Sequence, residues 1–559
     1  MRCIHGRTWT PFVLPFKEEH ADSLSSFTFN DVSQLDQGIS TALATTREWR
    51  NSFIHINRIL LDVFSLIPTH LSSQGDRFRA SFVCRHWRRT FLPHAALWSK
   101  LYLRKGEIYA KTILERAKGS ALNIIASHMD PVGIIALLSP QTTQIECICF
   151  EDCHWRDIER FSEISSGPLP LLYTLRISAV EEFHMDGPNT MTAPSLPLFR
   201  NAVNLKKLVL HSEGSPFLSH FVFPNLTTFK LSVTPEGEGF HVSQLLDFLE
   251  ASPTLRTVYV KVVANIPFTG FARESIVVLP NVETFSLVVS DSEPGYEIAA
   301  CISCPSARHT SLMHEGNIHN AIPREVFPAP IPWDAITRQY TKSPVEQVSL
   351  KIMFPYNSVI TCSVTFRSSD ATVLDLGFQV IISDDEDAEL LNPHVELKYK
   401  VFHQASRTIR DHPLLANLKH LYIEHKCILF GTTQFPHFSA EVGRLFKSVG
   451  PLEKLIIHGC DLHVYLDSSP DPPGFYDTER QMVFPPIREL VLSHPLHRHN
   501  DESCAATIVE FARSQHVLGI PFEYMSVCMR RLPTGMAEML VPWVGTVECY
   551  EEVPTDYDL

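Results

Sequence analysis

The sequence predicts a mixed α/β protein. A small helical unit near the N-terminus is followed by an irregular repeat array, whose short strands stack into a curved parallel sheet that a β-hairpin interrupts. Three observations support this prediction. Short amphipathic segments follow one another over residues 54–104, an apolar triplet recurs from about residue 145 onward, and two strongly alternating segments lie within residues 355–400.

Composition narrows the classes of protein to consider. The 559-residue chain is 44% hydrophobic and 20% charged, which is typical of globular proteins. No apolar run reaches the roughly 18 residues that span a bilayer, and the first residues lack the apolar core of a secretory signal. The net charge of −14 argues against nucleic-acid and membrane-surface binding. Thirteen scattered cysteines predict reduced thiols in the cytoplasm or nucleus.

The N-terminal part is predicted to be helical. Residues 1–30 are expected to be a flexible tail, and residues 31–53 a leader helix. Within residues 54–104, a first helix ends at Pro68, a second begins with Asp76 as its N-cap, and a third follows Pro93. The second helix places four residues on one face: Ala80, Val83, Cys84 and Trp87. Three short helices cannot bury these apolar groups among themselves, so the unit either offers a surface to a partner or caps a larger core.

Residues 54–104 resemble an F-box. The likeness rests on Ile59-Leu60, on Ile67-Pro68, on the block from Arg79 to Arg88 (RASFVCRHWR) and on Leu97-Trp98-Ser99-Lys100-Leu101. Where the family usually has a proline and an acidic residue, this chain has Asn57 and Arg58, and an Asn N-cap satisfies the same backbone donors. The resemblance implies docking on the SCF linker subunit through Ile56, Ile59, Leu60, Val63, Phe64, Ile67, Pro68, Val83, Cys84, Trp87 and Trp98, some of which also pack the unit itself.

Glu107 to Lys118 is predicted to be a helix that Gly119 ends, and Ala121 to Ala126 a strand. From about residue 145 an apolar triplet then recurs. It consists of an apolar residue, two residues of any kind, an apolar residue, one residue of any kind and a third apolar residue. Strong copies are Ile145/Ile148/Phe150, Leu172/Leu175/Ile177, Leu205/Leu208/Leu210, Leu226/Phe229/Leu231, Leu255/Val258/Val260, Val282/Phe285/Leu287, Val345/Val348/Leu350, Leu418/Leu421/Ile423, Leu452/Leu455/Ile457 and Ile487/Leu490/Leu492. Weaker copies are Ala307/Thr310/Leu312, Phe522/Met525/Val527 and Val544/Val547/Cys549. Turn sequences such as Pro-Asn introduce most of them.

The triplets resemble the leucine-rich repeat, with Cys153 and Cys460 at the Asn/Cys position of two copies. A leucine-rich-repeat-like solenoid is therefore predicted over residues 105–550. The alternative is a set of unrelated parallel strands in ordinary α/β domains. Residues 355–400 are predicted to be a β-hairpin insertion, with strands at Val359–Phe366 and Thr372–Ile382. The acidic loop at 384–387 is expected to be solvated, the alternative being a metal or partner site. Residues 551–559 are expected to be an acidic tail.

Enzymatic signatures are missing from the sequence: we find no nucleophile elbow, no phosphate-binding loop, no kinase motifs and no H-E-x-x-H. Cys147, Cys149 and Cys153 are close in sequence, but Cys153 occupies an inward position of the predicted repeat, whereas Cys147 and Cys149 are expected to point away from the core. Cys301 and Cys304 are interpreted as ordinary thiols of a repeat turn. The sequence therefore predicts a non-enzyme without metal or cofactor.

The outward positions of the predicted strands carry an unusual set of charges. In the middle repeats they include five basic residues and no acidic one, whereas the acidic residues lie at the two ends of the array, as in Glu151 and Glu548. We interpret the concave face as a binding site for an acidic or phosphorylated segment, formed by Arg176, Lys207, Lys230, Tyr259, Lys261 and Lys351. The alternative is a solvated strand face.

Together the two resemblances imply a substrate-recruiting subunit of an SCF-type cullin–RING ubiquitin ligase. Its partners would be the linker subunit, cullin through that linker, and an unknown protein substrate, with no nucleic acid or membrane. Such a subunit contributes proximity and has no catalytic residue. Two alternatives remain at this point: an interaction scaffold that acts without the cullin ligase, and an unrecognised enzyme.

Overall fold

A computed structural model describes residues 29–52, 74–83, 85–127, 137–164, 168–180, 202–213, 218, 223–234, 240–262, 268–269, 276–289, 297–318, 345–356, 359–369, 373–382, 403, 405–410, 417–426, 444–459, 485–494, 501–529 and 531–551. The chain divides into two compact units. The smaller comprises Met1–Lys100 with Lys111–Ala121, and the larger comprises Leu101–Ala110 with Leu122–Leu559.

The described part of the smaller unit is helical. It contains α1 (Phe29–Ser52), α2 (Gln74–Ser81), α3 (Arg85–Phe91), a 3₁₀ turn at Ala95–Trp98, and residues 111–117 of α4 (Glu107–Ala117). Three apolar side chains of α1 are more than half exposed at a four-residue spacing, namely Leu35, Ile39 and Leu43. Residues 1–28, which include most of the predicted tail, lie outside the described residues.

The second predicted helix is in fact two helices. Asp76 lies in the first turn of α2 instead of capping it, and its carboxylate pairs with Arg79 at 3.1 Å. The backbone N–H groups of Phe82 and Val83 donate to carbonyls three residues earlier, so the last turn tightens and the helix ends. As a consequence Ala80 and Trp87 lie on different helices, and the single apolar face predicted for them is wrong.

The larger unit consists mainly of strands. Its longer strands are β1 (Lys100–Tyr102), β2 (Leu122–Ser127), β3 (Ile145–His154), β4 (Thr174–Val180), β5 (Lys207–Glu213), β6 (Thr228–Thr234), β8 (Thr257–Val262), β11 (Thr284–Val289), β13 (His309–Ile318), β14 (Val345–Tyr356), β15 (Val359–Ser368), β16 (Val373–Ile382), β17 (His420–Lys426), β18 (Leu452–Gly459), β19 (Ile487–His494), β20 (Phe522–Met529) and β21 (Val544–Glu551). Two parallel pairs of two-residue strands join β7 (Phe240–His241) to β9 (Phe268–Thr269) and β10 (Val277–Val278) to β12 (Ile302–Ser303).

The seventeen longer strands form one sheet in the spatial order β1-β2-β3-β4-β5-β6-β8-β11-β13-β16-β15-β14-β17-β18-β19-β20-β21. Every pair from β2 to β21 is parallel except the two pairs that β15 forms. The predicted parallel sheet is thus present as a large mixed sheet dominated by parallel pairs.

One face of the sheet is the core. The triplet residues point to this face, and nearly all of them are buried; the exceptions are Val547 and Cys549 of the last strand, which are half-buried. Because side chains alternate along a strand, the intervening residues lie on the opposite side. We call this side, which bears Arg176, Lys230 and Tyr259, the open face.

Turn residues before the triplets connect neighbouring strands. Asn204 donates a side-chain hydrogen bond to the carbonyl of Pro170 at 2.7 Å, and Asn225 donates to that of Val203 at 2.9 Å. Asn281 donates in the same way to Pro253, at 3.0 Å. These bonds satisfy turn carbonyls and hold successive turns together, which gives the recurring Pro-Asn sequences a structural role.

Three helices of the larger unit pack aromatic side chains against the core face. They are α5 (Trp155–Ile164), α6 (Val242–Glu250) and α7 (Asp501–Val517), and a short α8 (Met536–Leu540) precedes β21. Phe161 of α5 meets Phe150 edge-on at a centroid distance of 5.2 Å, and Phe248 of α6 contacts Phe229 at 4.5 Å.

The predicted hairpin forms, and it interrupts the run of parallel pairs without leaving the sheet. Its two strands, β15 and β16, lie within the main sheet, where β16 pairs with β13 and β14 pairs with β17. The alternation of side chains between the two faces of the sheet explains this placement. Cys362, Val364 and Phe366 of β15 are buried on the same core face as the triplets. Two antiparallel strands with the same apolar spacing can therefore continue the sheet without a break.

Candidate functional site

Three basic side chains cluster on the open face of β4, β5 and β6. Arg176 and Lys230 flank Val209 in the strand register, so their Cα atoms are about 10 Å apart across two strand spacings. Lys207 lies two residues before Val209 on the middle strand, about 7 Å along it. All three side chains are exposed and form no ion pair with any residue that the structure describes. We call Arg176, Lys207 and Lys230 the cationic patch.

His211 and Tyr259 border the cationic patch. His211 follows Val209 by two residues on β5, and Tyr259 is the register partner of Lys230 on β8. Partial burial lowers the pKa of His211 below its ordinary value of 6.5, and the charge of Arg176 lowers it further. His211 is therefore a neutral imidazole at neutral pH that an anion placed among these residues would help to protonate.

Two of the lysines predicted to belong to the same site are neutralised by carboxylates. Lys261 Nζ lies 2.7 Å from Glu315 of β13, and Lys351 Nζ lies 3.2 Å from Glu424 of β17. Of the five basic residues predicted to form the site, Lys261 and Lys351 are therefore already paired with carboxylates of the protein. The sequence pattern did not show these pairs because it did not reveal which strands are neighbours.

The strand order also brings acidic residues into the middle of the open face. Asp375 of β16 lies next to His309 of β13, with 3.5 Å between His309 Nε2 and the carboxylate. Further along, Lys454 pairs with Glu489 at 3.1 Å. The reversal of charge sign is therefore confined to β4–β6, where the cationic patch lies.

The smaller unit divides the described F-box residues into buried and exposed ones. Trp98 is only 2% exposed; its indole N–H donates to the Leu92 carbonyl at 2.9 Å, and the Arg116 guanidinium covers its ring at 4.4 Å. It therefore packs the unit itself, a role that the F-box resemblance implied for some of the predicted linker-facing residues. Val83, in contrast, is 63% exposed, and Trp87 is half-buried against Phe91 with 5.2 Å between ring centroids.

Phe82 lies in the block that resembles the F-box, but it is not among the predicted linker-facing residues. It is 68% exposed next to Val83, and the Arg88 guanidinium lies 5.1 Å from its ring centroid. The signal that could have found it is its place at the end of a short helix, where neighbouring turns do not cover it. Eight predicted linker-facing residues lie outside the described residues: Ile56, Ile59, Leu60, Val63, Phe64, Ile67, Pro68 and Cys84.

The cysteines near the start of the sheet lie on both of its faces. Cys153 is buried on the core side, where its thiol donates to the Ala126 carbonyl at 3.4 Å, whereas Cys147 and Cys149 belong to the open face. Burial, with Glu151 nearby, raises the pKa of Cys149 to about 12. Burial alone raises the pKa of Cys304 to about 12. Both thiols are therefore protonated and poorly nucleophilic at neutral pH. Cys460 lies outside the described residues.

Comparison with known proteins identifies one region. Residues 57–104 match the F-box-like family, so the chain contains an F-box-like domain at the place where its sequence resembles an F-box. No curated protein is detectably similar to the chain. Within the described residues, no helix is both long and apolar enough to cross a membrane.

Proposed function

We propose that the chain is a substrate-recruiting subunit of an SCF-type cullin–RING ubiquitin ligase. The observation that carries this proposal is the F-box-like domain at residues 57–104, because F-box domains bind the SCF linker subunit. The exposed pair Phe82 and Val83 supports it, since two adjacent, largely exposed apolar side chains on a small unit are suited to a partner surface.

The larger unit is proposed to be a leucine-rich-repeat-like solenoid that holds the substrate. Support comes from the shared parallel register, from the buried triplets and from the hydrogen bonds that link successive turns at Asn204, Asn225 and Asn281. Each strand buries its triplet only with its neighbours present, which is the physical basis of repeat architectures.

The substrate site is proposed to be the cationic patch, Arg176, Lys207 and Lys230. Three basic side chains with no carboxylate partner among the described residues favour an acidic or phosphorylated segment, in a chain whose net charge is −14. In this account the chain is not an enzyme: it brings the substrate close to the ubiquitin-transfer machinery in the cytoplasm or nucleus.

Linker docking is tested by combining Leu60→Ala with Trp87→Ala in the full-length chain. Large-to-small changes in apolar contacts cost about 2–5 kcal/mol each, so the linker subunit and cullin should no longer co-purify. Phe82→Ala with Val83→Ala is a companion variant that changes exposed side chains and should retain its thermal unfolding midpoint. A variant with Lys207→Glu and Lys230→Glu serves as the control and should bind the linker normally.

The alternative function is an interaction scaffold that acts without the cullin ligase. The departure at Asn57 and Arg58 from the usual F-box sequence favours this alternative. A well-folded Leu60→Ala/Trp87→Ala variant that still captures both linker and cullin would refute the proposed docking surface. Capture of the linker without cullin by the wild type would support the scaffold.

A further inference from the structure

Two tyrosines and a glutamate form a hydrogen-bonded cluster on the last two strands of the sheet. The phenol of Tyr524 donates to Glu548 Oε2 at 2.7 Å, and that of Tyr550 donates to the same oxygen at 3.0 Å. The hydrogen bond to Glu548 contributes most to raising the pKa of Tyr524 to about 12, so this phenol remains a donor at neutral pH. Glu548 Oε1 accepts no hydrogen bond from the described residues, and Glu548 forms no ion pair with them.

The same sheet contains a comparable cluster in which a lysine takes part. On β17, Tyr422 donates to Glu424 Oε2 at 3.1 Å, and Lys351 Nζ lies 3.2 Å from the same oxygen. The ammonium also lies 5.7 Å from the centroid of the Tyr422 ring. Lys351 is the register partner of Glu424 on the neighbouring strand. A tyrosine and a glutamate two residues apart on the open face therefore bind a cation supplied by the adjacent strand.

For Glu548, the adjacent strand is missing on one side. β21 pairs with β20, and it has no second neighbour in the part of the chain that the structure describes. Its core-facing residues Val547 and Cys549 are half-buried, whereas the corresponding Met525 and Val527 of β20 are fully buried. An edge strand of this kind offers free backbone groups and uncovered apolar surface to an added strand.

Apolar side chains are also exposed just before β21. Met539 of α8 is 42% exposed, and Val541, which directly follows α8 in the sequence, is 63% exposed. Gly545 allows β21 to approach β20 closely, since a Cβ at this position would lie 2.8 Å from the carbonyl oxygen of Glu523. Glycine at this position therefore permits close pairing with β20, while Val547 and Cys549 of β21 remain only half-buried.

We propose that the edge of β21 binds an extended segment of a partner protein as an added strand, with a lysine or arginine opposite Glu548 and an apolar residue on each side of it. The basic side chain would lie on the open face against Glu548, Tyr524 and Tyr550. The flanking apolar side chains would cover Val547 and Cys549, because side chains alternate along a strand.

Two other occupants fit less well. A second copy of the chain would pair β21 with β21, but Val544–Glu551 contains no lysine or arginine to place against Glu548. The chain's own residues 552–559 also lack a basic residue and carry three acidic ones, Glu552, Asp556 and Asp558. The inference goes beyond the proposed ligase role and does not depend on linker docking.

The test uses the full-length protein and a fluorescein-labelled nine-residue peptide, Ser-Thr-Ser-Val-Lys-Val-Ser-Thr-Ser, with variants that have Arg, Ala or Glu in place of Lys. Fluorescence anisotropy should show that the Lys and Arg peptides bind at least about tenfold more tightly than the Ala peptide, and that the Glu peptide does not bind. Every second backbone amide of the Lys peptide can be methylated in two ways, beginning at an odd or at an even residue. Only one of these two methylated peptides should lose binding, because an added strand uses every second N–H group to pair with β21.

Two variants locate the binding site. Glu548→Gln should weaken binding of the Lys peptide about tenfold, whereas Glu551→Gln, the same charge change on the opposite side of β21, should have little effect. Tyr550→Phe should weaken binding severalfold and provides a second variant if Glu548→Gln is unstable. Equal binding of the Lys and Glu peptides, no binding of the Lys peptide, or equal effects of the two glutamate variants would overturn the proposal. A concentration-dependent dimer that Glu548→Gln strengthens would instead assign the edge to a second copy.

Discussion

The open face differs between β4–β6 and β14–β18, although the two regions share the same core. In both regions the triplet residues are buried, as Leu208 and Leu455 illustrate with 0% exposure each. In β14–β18, Lys351 and Lys454 each pair with a carboxylate on a neighbouring strand. In β4–β6 the cationic patch forms no such pair among the described residues.

This difference distinguishes the buried triplet residues, which stabilise the sheet, from the charged residues of the open face, which are available to a ligand only where they are unpaired. The buried triplets recur in nearly every repeat of the sheet, so they account for the fold and cannot distinguish one region of the open face from another. The paired charges of β14–β18 satisfy each other, whereas those of β4–β6 leave a positive field that a ligand can use. Which basic residues are available to a ligand therefore depends on the pairing of charges across strands, and it cannot be read from the number of basic residues.

The largest expected effect tests whether burial in the shared core is equivalent in the two regions. Leu208→Ala and Leu455→Ala should each lower the free energy of unfolding by about 2–5 kcal/mol, because each leaves a cavity at a fully buried position. Lys454→Ala, at the position next to Leu455, should change it by only about 1 kcal/mol or less. Chemical denaturation provides the measurement, and a much smaller effect of one leucine than of the other would contradict the shared core.

The next effect tests the difference between the open faces. Lys207→Gln with Lys230→Gln should weaken binding of a fluorescein-labelled phosphoserine-containing hexaglutamate peptide at least about tenfold. Lys261→Gln with Lys351→Gln removes the same charge from the same face, but from lysines already paired with Glu315 and Glu424. It should weaken binding less than threefold. If both variants weaken binding equally, only net charge matters and the patch is not a distinct site.

The smallest expected effect concerns pH. The folded-state pKa of His211 is lowered from 6.5, so the unfolded chain binds this proton more readily. The associated stability is present above about pH 6.5 and is lost as the pH falls below it. His211→Asn should reduce this loss, which urea denaturation at pH 7.5 and pH 5.5 can measure. The same protonation should make the wild type bind the acidic peptide more tightly at pH 5.5 than the variant does. If peptide binding by the two proteins has the same pH dependence, His211 does not contribute to the site.

Much of the sheet could be predicted from the sequence, because its signal is local. Each triplet puts apolar residues at fixed spacing, and several turns place an asparagine where it reaches the previous turn, so strands and burial follow directly. Strand order is not local. Nothing in the alternation of β15 and β16 reveals that they lie between β13 and β14, because antiparallel and parallel strands with the same spacing bury the same face.

The candidate site could be predicted only in part, for the same reason. Arg176 and Lys230 belong to neighbouring repeats, so their placement on one face follows from the pattern. The partners of Lys261 and Lys351 lie on strands that are distant in the sequence, and only the strand order brings Glu315 and Glu424 to them. In the smaller unit, the sequence indicated an apolar surface but could not distinguish the buried Trp98 from the exposed Phe82.

We propose that the F-box-like domain and the open face bind different partners independently. Affinity purification with mass spectrometry tests it most directly, with the tagged full-length chain as wild type, as Leu60→Ala/Trp87→Ala and as Lys207→Glu/Lys230→Glu. The first variant should lose the linker subunit and cullin and keep the remaining captured proteins. The second should keep linker and cullin and lose captured proteins that present acidic or phosphorylated segments. Folded variants that lose both sets together, or neither set, would contradict the account.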